Sequence, residues 1–428
     1  MKSTKSFEIS KHVVWEAYKR VKSNKGAAGV DGESLSRFEL RLKRNLYKIW
    51  NRMSSGSYFP PPVREVEIPK KDGSKRSLGV PTVSDRIAQM VVKLSIEPEM
   101  DAHFHHDSYG YRAHKSAKAA VAVTRKRCWQ YDWVVEFDIK GAFDNIDHAL
   151  LMKVVKRHVK EDWQRLYIER WLTAPYELLN GQLRSRDRGT PQGGVISPLL
   201  MNLFLHYTFD YWMEKNHPHK PFARYADDAV VHCRERAEAE QLLEEISNRL
   251  QACLLTMHPD KSKVIYCKDS NRRDDYEQTQ FTFLGFTFRP RAANSRAGKR
   301  FTSFLPAVSS EAMKRMRQTI KGWRLHRQTF ATLEHLAHQY NATLRGWWNY
   351  YGSFYKTEMR SLIDYLNQRL AGWARRKYKK LKCHKRQSFL WLKRVARNQQ
   401  YLFFHWQLLT HLCHYIKQLH LKSMRCNF

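Results

Sequence analysis

Two short segments set aspartates among strong strand formers, where an acid is ordinarily disfavoured. In Phe137-Asp138-Ile139-Lys140-Gly141-Ala142-Phe143-Asp144, Asp138 follows the apolar run Val134-Val135 and is expected at the end of a central strand. In Tyr225-Ala226-Asp227-Asp228-Ala229-Val230-Val231, two adjacent acids stand at the tip of an expected hairpin. Adjacent carboxylates repel, so a fold that gathers them gains from a bound cation. Hard oxygen donors of this kind suit Mg²⁺, which keeps part of its water and takes further oxygens from a substrate phosphate. A lone Asp-Asp pair also reads as a polar turn, and the pair alone does not decide between the two.

The elements that must carry these acids are legible in the periodicity. Residues 1–62 read as mostly helical, broken by a Gly-rich turn at Asn24–Gly32 and stopped by Pro60-Pro61-Pro62. Val63–Ile68 and Lys75–Val80 alternate as strands around Lys71-Asp72-Gly73-Ser74, which is hairpin chemistry. Helices are expected over Asp85–Met100, Ser116–Trp129, Leu150–Val159 and Asp162–Leu172, and a strand over Trp133–Ile139. After a Gly-rich loop, Gly189–Gly194, Ser197-Pro198 reads as a helix start with Pro at the first helical position. Leu199, Leu200, Leu203, Phe204 and Tyr207 then fall on one face. Phe222–Cys233 reads strand, tight turn, strand; Ala237–Leu250 is an amphipathic helix; Phe281–Phe288 is a further strand pair. Arg289–Arg300 reads as a basic linker, and the remainder as helices rich in tryptophan, lysine and arginine. The fold class is therefore α+β with an antiparallel sheet, followed by an all-helical basic module.

Composition narrows the partners. The chain has 428 residues, with 76 lysines and arginines against 41 acids, a formal charge of +35. Such a charge calls for a polyanion, nucleic acid before an anionic membrane surface. The excess is concentrated: from Arg289 onward there are 29 basic residues and four acids, a net of +25. The carboxylates that metal chemistry needs sit in the first two-thirds, and the last third reads as a grip for polyanions. No 18-residue apolar run is present, the N-terminal residues lack a signal-peptide core, and the seven cysteines form no metal-binding or disulfide-like spacing. The chain is expected to be reduced and cytoplasmic, with no membrane partner. The histidines His103, His105, His106, His217 and His219 are read as surface residues.

Taken together, Phe137-Asp138 with Phe143-Asp144, Tyr225-Ala-Asp-Asp228 and Gly189-Thr-Pro-Gln-Gly-Gly-Val-Ile-Ser-Pro-Leu-Leu200 resemble the motifs of reverse transcriptases. Phe283-Leu-Gly-Phe286 and Leu344-Arg-Gly-Trp-Trp-Asn-Tyr-Tyr-Gly352 narrow the resemblance to group II intron reverse transcriptase/maturases. It runs from Asn24 to the basic tail. The resemblance implies a right-hand polymerase: an N-terminal fingers extension over 1–62, fingers and an antiparallel palm over 63–288, a basic linker over 289–306, a helical maturase thumb over 307–372, and a basic nucleic-acid-binding segment over 373–428. It implies RNA-directed DNA polymerisation with two Mg²⁺ ions, Mn²⁺ being able to substitute. Asp138, Asp227 and Asp228 would be the catalytic acids and metal ligands, with the Ile139 carbonyl as a further ligand. Phe143 would lie under the sugar and exclude a 2′-hydroxyl, Gln192 would touch the incoming nucleotide, and Lys70 and Arg76 would hold its triphosphate. Asp144 is left between a site role and a helix cap. Arg112 would contact the template, and Arg345, Arg375, Arg376, Lys377, Lys379 and Lys380 would contact nucleic acid.

The implied partners are an RNA template with a DNA or RNA primer, dNTPs, the parent group II intron RNA and a target DNA. The paired cysteines and histidines of the endonuclease carried by many family members are not found, so second-strand cleavage is not expected. His258-Pro-Asp-Lys-Ser-Lys263 departs from the family's Asn-containing turn. Two other readings remain at this point: a maturase that folds RNA without polymerising, and a host-domesticated reverse transcriptase serving defence or repair.

Overall fold

The computed structural model describes residues 5–69, 75–295 and 297–408. The chain divides into two compact units, Met1–Ile265 and Tyr266–Phe428. The first begins with helices α1 (Lys11–Asn24), α2 (Leu35–Glu39) and α3 (Leu42–Ser54). Ser10 and Ser34 start α1 and α2 by accepting the N–H groups of His12 and Arg37, which satisfies donors that a helix leaves orphaned. Strands β1 (Val63–Pro69) and β2 (Lys75–Val80) pair antiparallel, from Arg64 opposite Val80 to Pro69 opposite Lys75. The expected turn residues 71–74 lie outside the described residues.

Helix α4 (Val83–His103) is the spine of this unit. Thr82 caps it, and from Val83 to Val92 every residue but Ser84 is buried. One of those residues is an acid. The Asp85 carboxylate accepts from Tyr58 Oη (2.9 Å), Trp171 Nε1 (2.8 Å) and Gln89 Nε2 (2.9 Å). These bonds make burial tolerable, yet desolvation still dominates and raises its pKa to about 6.

Next come α5 (Ala117–Cys128), β3 (Trp133–Asp138), the single turn α6 (Ala142–Asn145), α7 (His148–His158) and α8 (Asp162–Thr173), followed by the short strands β4 (Tyr176–Glu177) and β5 (Leu183–Arg184). β4 joins β1 in parallel, giving a peripheral sheet of order β2-β1-β4-β5. Helix α9 (Ser197–Leu205) continues through a π-helical stretch, His206–Asp210, into α10 (Tyr211–Asn216). The single apolar face expected here is corrected. Leu199 to Leu205 are all buried, Asn202 included, so α9 is surrounded rather than laid on a surface. Strands β6 (Phe222–Tyr225) and β7 (Asp228–Cys233), helix α11 (Arg236–Ala252) and β8 (Lys263–Tyr266) complete the unit. The central sheet has the order β6-β7-β3-β8. Val134, Val135, Val230 and Val231 are fully buried, and since neighbouring strand residues alternate in direction, both faces of the sheet are covered.

The second unit corrects the linker expected at 289–306. Strands β9 (Phe281–Phe283), β10 (Phe286–Asn294) and β11 (Arg300–Val308) form a three-stranded antiparallel sheet, with β10 and β11 in register from Phe286–Val308 to Asn294–Arg300. Phe281, Phe286, Phe288 and Phe304 are fully buried, and the basic residues between them resemble loop composition only when this alternation is ignored. Arg291 is itself held by Glu358 at 2.6 Å and lies over Tyr355. Helices α12 (Ser310–Gly322), α13 (Leu333–Tyr351), α14 (Arg360–Lys377) and α15 (Lys385–Asn398) then enclose a separate core around Ile320, Leu336, Leu370 and Trp373. Trp323 stacks on Tyr340 with ring centroids 4.1 Å apart, and Trp373 and Trp406 are buried, so the tryptophans serve helix packing. The five cysteines among the described residues are free thiols, and no helix among those residues is long and apolar enough to cross a membrane.

The buried acid on α4 gives the fold a pH signature. Its folded pKa is raised above the unfolded value, so its contribution is fully present below about pH 4 and is lost as pH rises through about 6. Urea unfolding of wild type beside Asp85→Asn should show the wild type losing about 3 kcal/mol relative to the variant between pH 4 and pH 7. A pH-independent difference would contradict the assignment.

Candidate active site

The two acidic segments meet in the central sheet of the first unit. In the antiparallel pairing of β3 with β7, Asp138 stands directly opposite Asp228. Residues in direct register project from the same face, a few ångströms apart, and like charges placed so are destabilising. Asp227 occupies the two-residue turn between β6 and β7, and it lines the same cavity as Asp138. The preceding turn residue, Ala226, has φ +59°, a left-handed conformation that costs a non-glycine residue about 1 kcal/mol or more.

A buried cation holds that turn. Arg224 on β6 is 1% exposed. Its guanidinium donates to both carboxylate oxygens of Asp210 (2.7 and 2.6 Å), to Asn202 Oδ1, to Ser108 Oγ and to the Ala226 carbonyl at 2.9 Å. Burial alone would raise the Asp210 carboxyl, but the charge and hydrogen bonds of Arg224 outweigh it and hold the group below its ordinary range. Residues 107–110 flank the hairpin. Tyr109 N–H bonds the Arg224 carbonyl, and a Cβ on Gly110 would lie 2.5 Å from Ala226 N, so only glycine allows this approach.

On the other side of β3, residues 256–258 run antiparallel to the end of the strand. Lys140 N–H bonds the Thr256 carbonyl and His258 N–H bonds the Asp138 carbonyl. Ile139 and Met257 thus form a bridge whose hydrogen bonds use the neighbouring residues. In that pattern the Ile139 carbonyl turns toward the β7 side. The same segment delivers Lys261, whose Nζ lies 2.5 Å from Asp138 Oδ2. The hydrogen bond to Asp138, set against desolvation, and the charges of Asp138, Asp227 and Asp228 raise the Lys261 pKa. Asp138, Asp227 and Lys261 line one cavity, and Asp228 stands in register with Asp138. Oxygen donors converging where an ammonium already sits fit a divalent ion.

The cavity above these acids has a volume of about 810 Å³. One wall is the Gly-rich loop, clamped to α6 by Thr190 N–H to the Phe143 carbonyl and Gly189 N–H to the Ile146 carbonyl, each 2.7 Å. Gly189 has φ +76°, and a Cβ there would lie 2.6 Å from the Asp144 carbonyl oxygen. The same loop is tied to β2 by Gly79 N–H to the Gln192 carbonyl and to α4 by Val195 N–H to Gln89 Oε1. Phe143 and Gln192 line the cavity, and Lys75, Arg184 and Arg188 lie among its basic lining residues.

A family model described as reverse transcriptase (RNA-dependent DNA polymerase) matches residues 68–288, and one described as group II intron, maturase-specific domain matches residues 313–391. The chain belongs to the group II intron reverse transcriptase/maturase family. It is 33% identical to Protein YkfC of Escherichia coli (strain K12) over 63% of this chain and 78% of that protein. It is 36% identical to Group II intron-encoded protein LtrA of Lactococcus lactis subsp. cremoris over 45% of this chain, a match that spans about a third of LtrA (32%). Among solved structures, apo telomerase from Candida Tropicalis truncated from its C-terminal domain aligns with a TM-score of 0.42 and 14% identity, over 57% of this chain and 59% of that one. Reverse transcriptases use divalent metal ions.

Within this maturase family member, Asp138, Asp227, Phe143 and Gln192 line one cavity, and Asp228 lies in register with Asp138. Other expectations fare differently. Lys70 lies outside the described residues, and Arg76 is placed in β2 opposite Ile68. Arg112, expected as a template contact, is engaged within the unit. Its guanidinium donates to Asp101 Oδ1 (2.7 Å) and to the carbonyls of His105, Ser108 and Asp101, which leaves its side chain 6% exposed. Lys377 is likewise tied inward, donating to the Thr329 and Ala331 carbonyls. Arg345 lies over the Phe404 ring, Arg375 is half-buried, and Arg376, Lys379 and Lys380 are exposed. Lys261 and Arg224 were missed. A single charge in a chain this basic carries no sign of its partner, although the arginine just before Tyr225-Ala-Asp-Asp is an unusual residue for a buried strand.

The hairpin's dependence on Arg224 can be measured. Arg224→Met should cost about 3–5 kcal/mol in urea unfolding, because it leaves Asp210 buried and unpaired. Arg224→Met combined with Asp210→Leu should cost less than the sum of the single changes. Strict additivity would contradict the pairing.

Proposed function

We propose that the chain is an RNA-directed DNA polymerase that binds group II intron RNA and assists its splicing and mobility. The observation that carries this reading is the placement of Asp138 and Asp227 beside Lys261 on one cavity wide enough for a nucleotide, with Asp228 in register with Asp138.

The residues divide the work by chemistry. Asp138, Asp227 and Asp228, with the Ile139 carbonyl, would hold two Mg²⁺ ions, or Mn²⁺ in their place. Such ions supply Lewis-acid neutralisation of the attacking 3′-hydroxyl and the departing pyrophosphate. Phe143, 7% exposed and edge-on to Tyr111, is held too firmly to yield to a 2′-hydroxyl, which favours dNTPs. Lys75, Arg184 and Arg188, which line the cavity, would supply positive charge for a triphosphate, the role the resemblance gives to Lys70 and Arg76. Gln192 supplies a polar contact to the nucleotide. The template–primer and intron RNA would be bound through phosphates by the basic second unit, where the exposed Arg376, Lys379 and Lys380, with the half-buried Arg375 beside them, would read shape rather than sequence. Target DNA would use the same electrostatics.

Primer extension on an RNA template with Mg²⁺ and dNTPs tests the proposal. Wild type should extend, and Asp227→Ala should fall below about a thousandth of its rate, the scale of losing one preorganised electrostatic group. Phe143→Ala should keep dNTP activity and raise ribonucleotide incorporation by about tenfold. Salt-sensitive RNA binding without extension by the wild type would leave an RNA-folding protein and overturn the polymerase.

A further inference from the structure

Asp144 is a further acid on the wall of the same cavity, and its surroundings differ from those of Asp138 and Asp227. It lies in the one-turn helix α6 that follows β3. Its Oδ2 accepts a hydrogen bond from Gln192 Nε2 at 2.8 Å, bridging 48 residues of chain. Gln192 is 8% exposed and lines the cavity together with Asp138, Phe143 and Asp227. The backbone on both sides of this bond is fixed. Thr190 N–H is bonded to the Phe143 carbonyl, and the Gln192 carbonyl accepts from Gly79 N–H.

A carboxamide has one accepting and one donating end, and at equal cost it can turn over. An ionised carboxylate can only accept. With Nε2 held on Asp144, the amide is fixed with Oε1 directed away from that carboxylate. A charged acceptor makes this bond stronger than one between neutral groups. A side chain that is to meet a nucleotide must be held in one orientation before the nucleotide arrives, or binding bears the ordering cost.

We propose that Asp144 is a positioning residue that fixes the carboxamide of Gln192 for the incoming nucleotide, and is not a further ligand of the metal-binding acids. The inference rests on the polymerase reading given above. It separates two roles that a carboxylate in this cavity can have. A metal ligand needs an anionic oxygen, so asparagine and alanine damage it alike. A positioning acceptor acts only on the orientation of the amide; asparagine keeps an oxygen there but adds an N–H that lets the amide turn over, so it weakens nucleotide binding in part and spares the chemical step.

Single-nucleotide incorporation by the full chain on an RNA template–primer distinguishes them. Asp144→Ala should raise the KM for dNTP by roughly tenfold and leave kcat within about threefold. Asp144→Asn should leave kcat within about threefold and raise the KM by less than Asp144→Ala does. Asp144→Ala combined with Gln192→Ala should be no worse than Gln192→Ala alone, because the carboxylate acts through the amide. Thermal unfolding of each variant, followed by circular dichroism, reports whether it folds, and Asp144→Asn preserves the test if the alanine variant does not. A collapse of kcat in Asp144→Asn, additive losses in the double variant, or an unchanged KM in Asp144→Ala overturns the proposal while the polymerase stands. A wild type that binds template–primer and adds no nucleotide overturns both.

Discussion

The geometry of the acidic site depends on one buried ion pair. Arg224 and Asp210 are both almost wholly removed from water, an arrangement whose desolvation can exceed the Coulomb gain when hydrogen bonding is incomplete. Here it is extensive. The guanidinium also holds Asn202, Ser108 and the carbonyl of Ala226, the residue whose positive φ bends β6 into β7. The pair therefore fixes where Asp227 and Asp228 emerge, and it ties that point to the helix carrying Asn202, to the π-helical stretch ending at Asp210 and to the 107–110 segment. An apolar residue of similar size could fill the space but, having no donor, could not hold the turn carbonyl.

Around this anchor the cavity is assembled from pieces that are each fixed by backbone hydrogen bonds. The end of β3 is held between β7 on one side and residues 256–258 on the other, which sets Asp138 opposite Asp228 and brings Lys261 to it. The Gly-rich loop is clamped to α6, to β2 and, through Gln89, to α4. Acids, aromatic ring and amide thus belong to different stretches of sequence but to one rigid framework. This is the preorganisation that an electrostatic mechanism requires, since the groups need not reorganise when charge develops. The proposed polymerase follows from that rigidity as much as from the identity of the acids.

The sequence carried the regular elements well because their periodicity is a direct consequence of burial. The strand at Trp133–Asp138, the hairpin at Phe222–Cys233 and the helix at Arg236–Ala252 lie close to where alternation and amphipathicity put them. It carried Asp138, Asp227 and Asp228 through their motif spacing. It failed where one signal masked another. The basic composition of 289–306 hid a strand pairing that the buried Phe286, Phe288 and Phe304 anchor, and α9 is apolar on too many sides for a one-face pattern to describe. Arg112 and Lys377 show a further limit, for a cation that bonds internal carbonyls looks in sequence like one awaiting a phosphate. Lys261 is the converse case: only the antiparallel run of 256–258 beside β3 brings it to Asp138, and no local spacing encodes that contact.

The central claim is that three carboxylates from two distant segments together bind divalent cations. Electron paramagnetic resonance of Mn²⁺ titrated into the full chain, wild type beside Asp138→Asn, tests it without reference to turnover. The account predicts saturable Mn²⁺ binding by the wild type in the presence of template–primer and dNTP, and at least a tenfold weakening in the variant. Equal binding by the two proteins would contradict it, and would mean that the acids meet in the fold without forming a metal site.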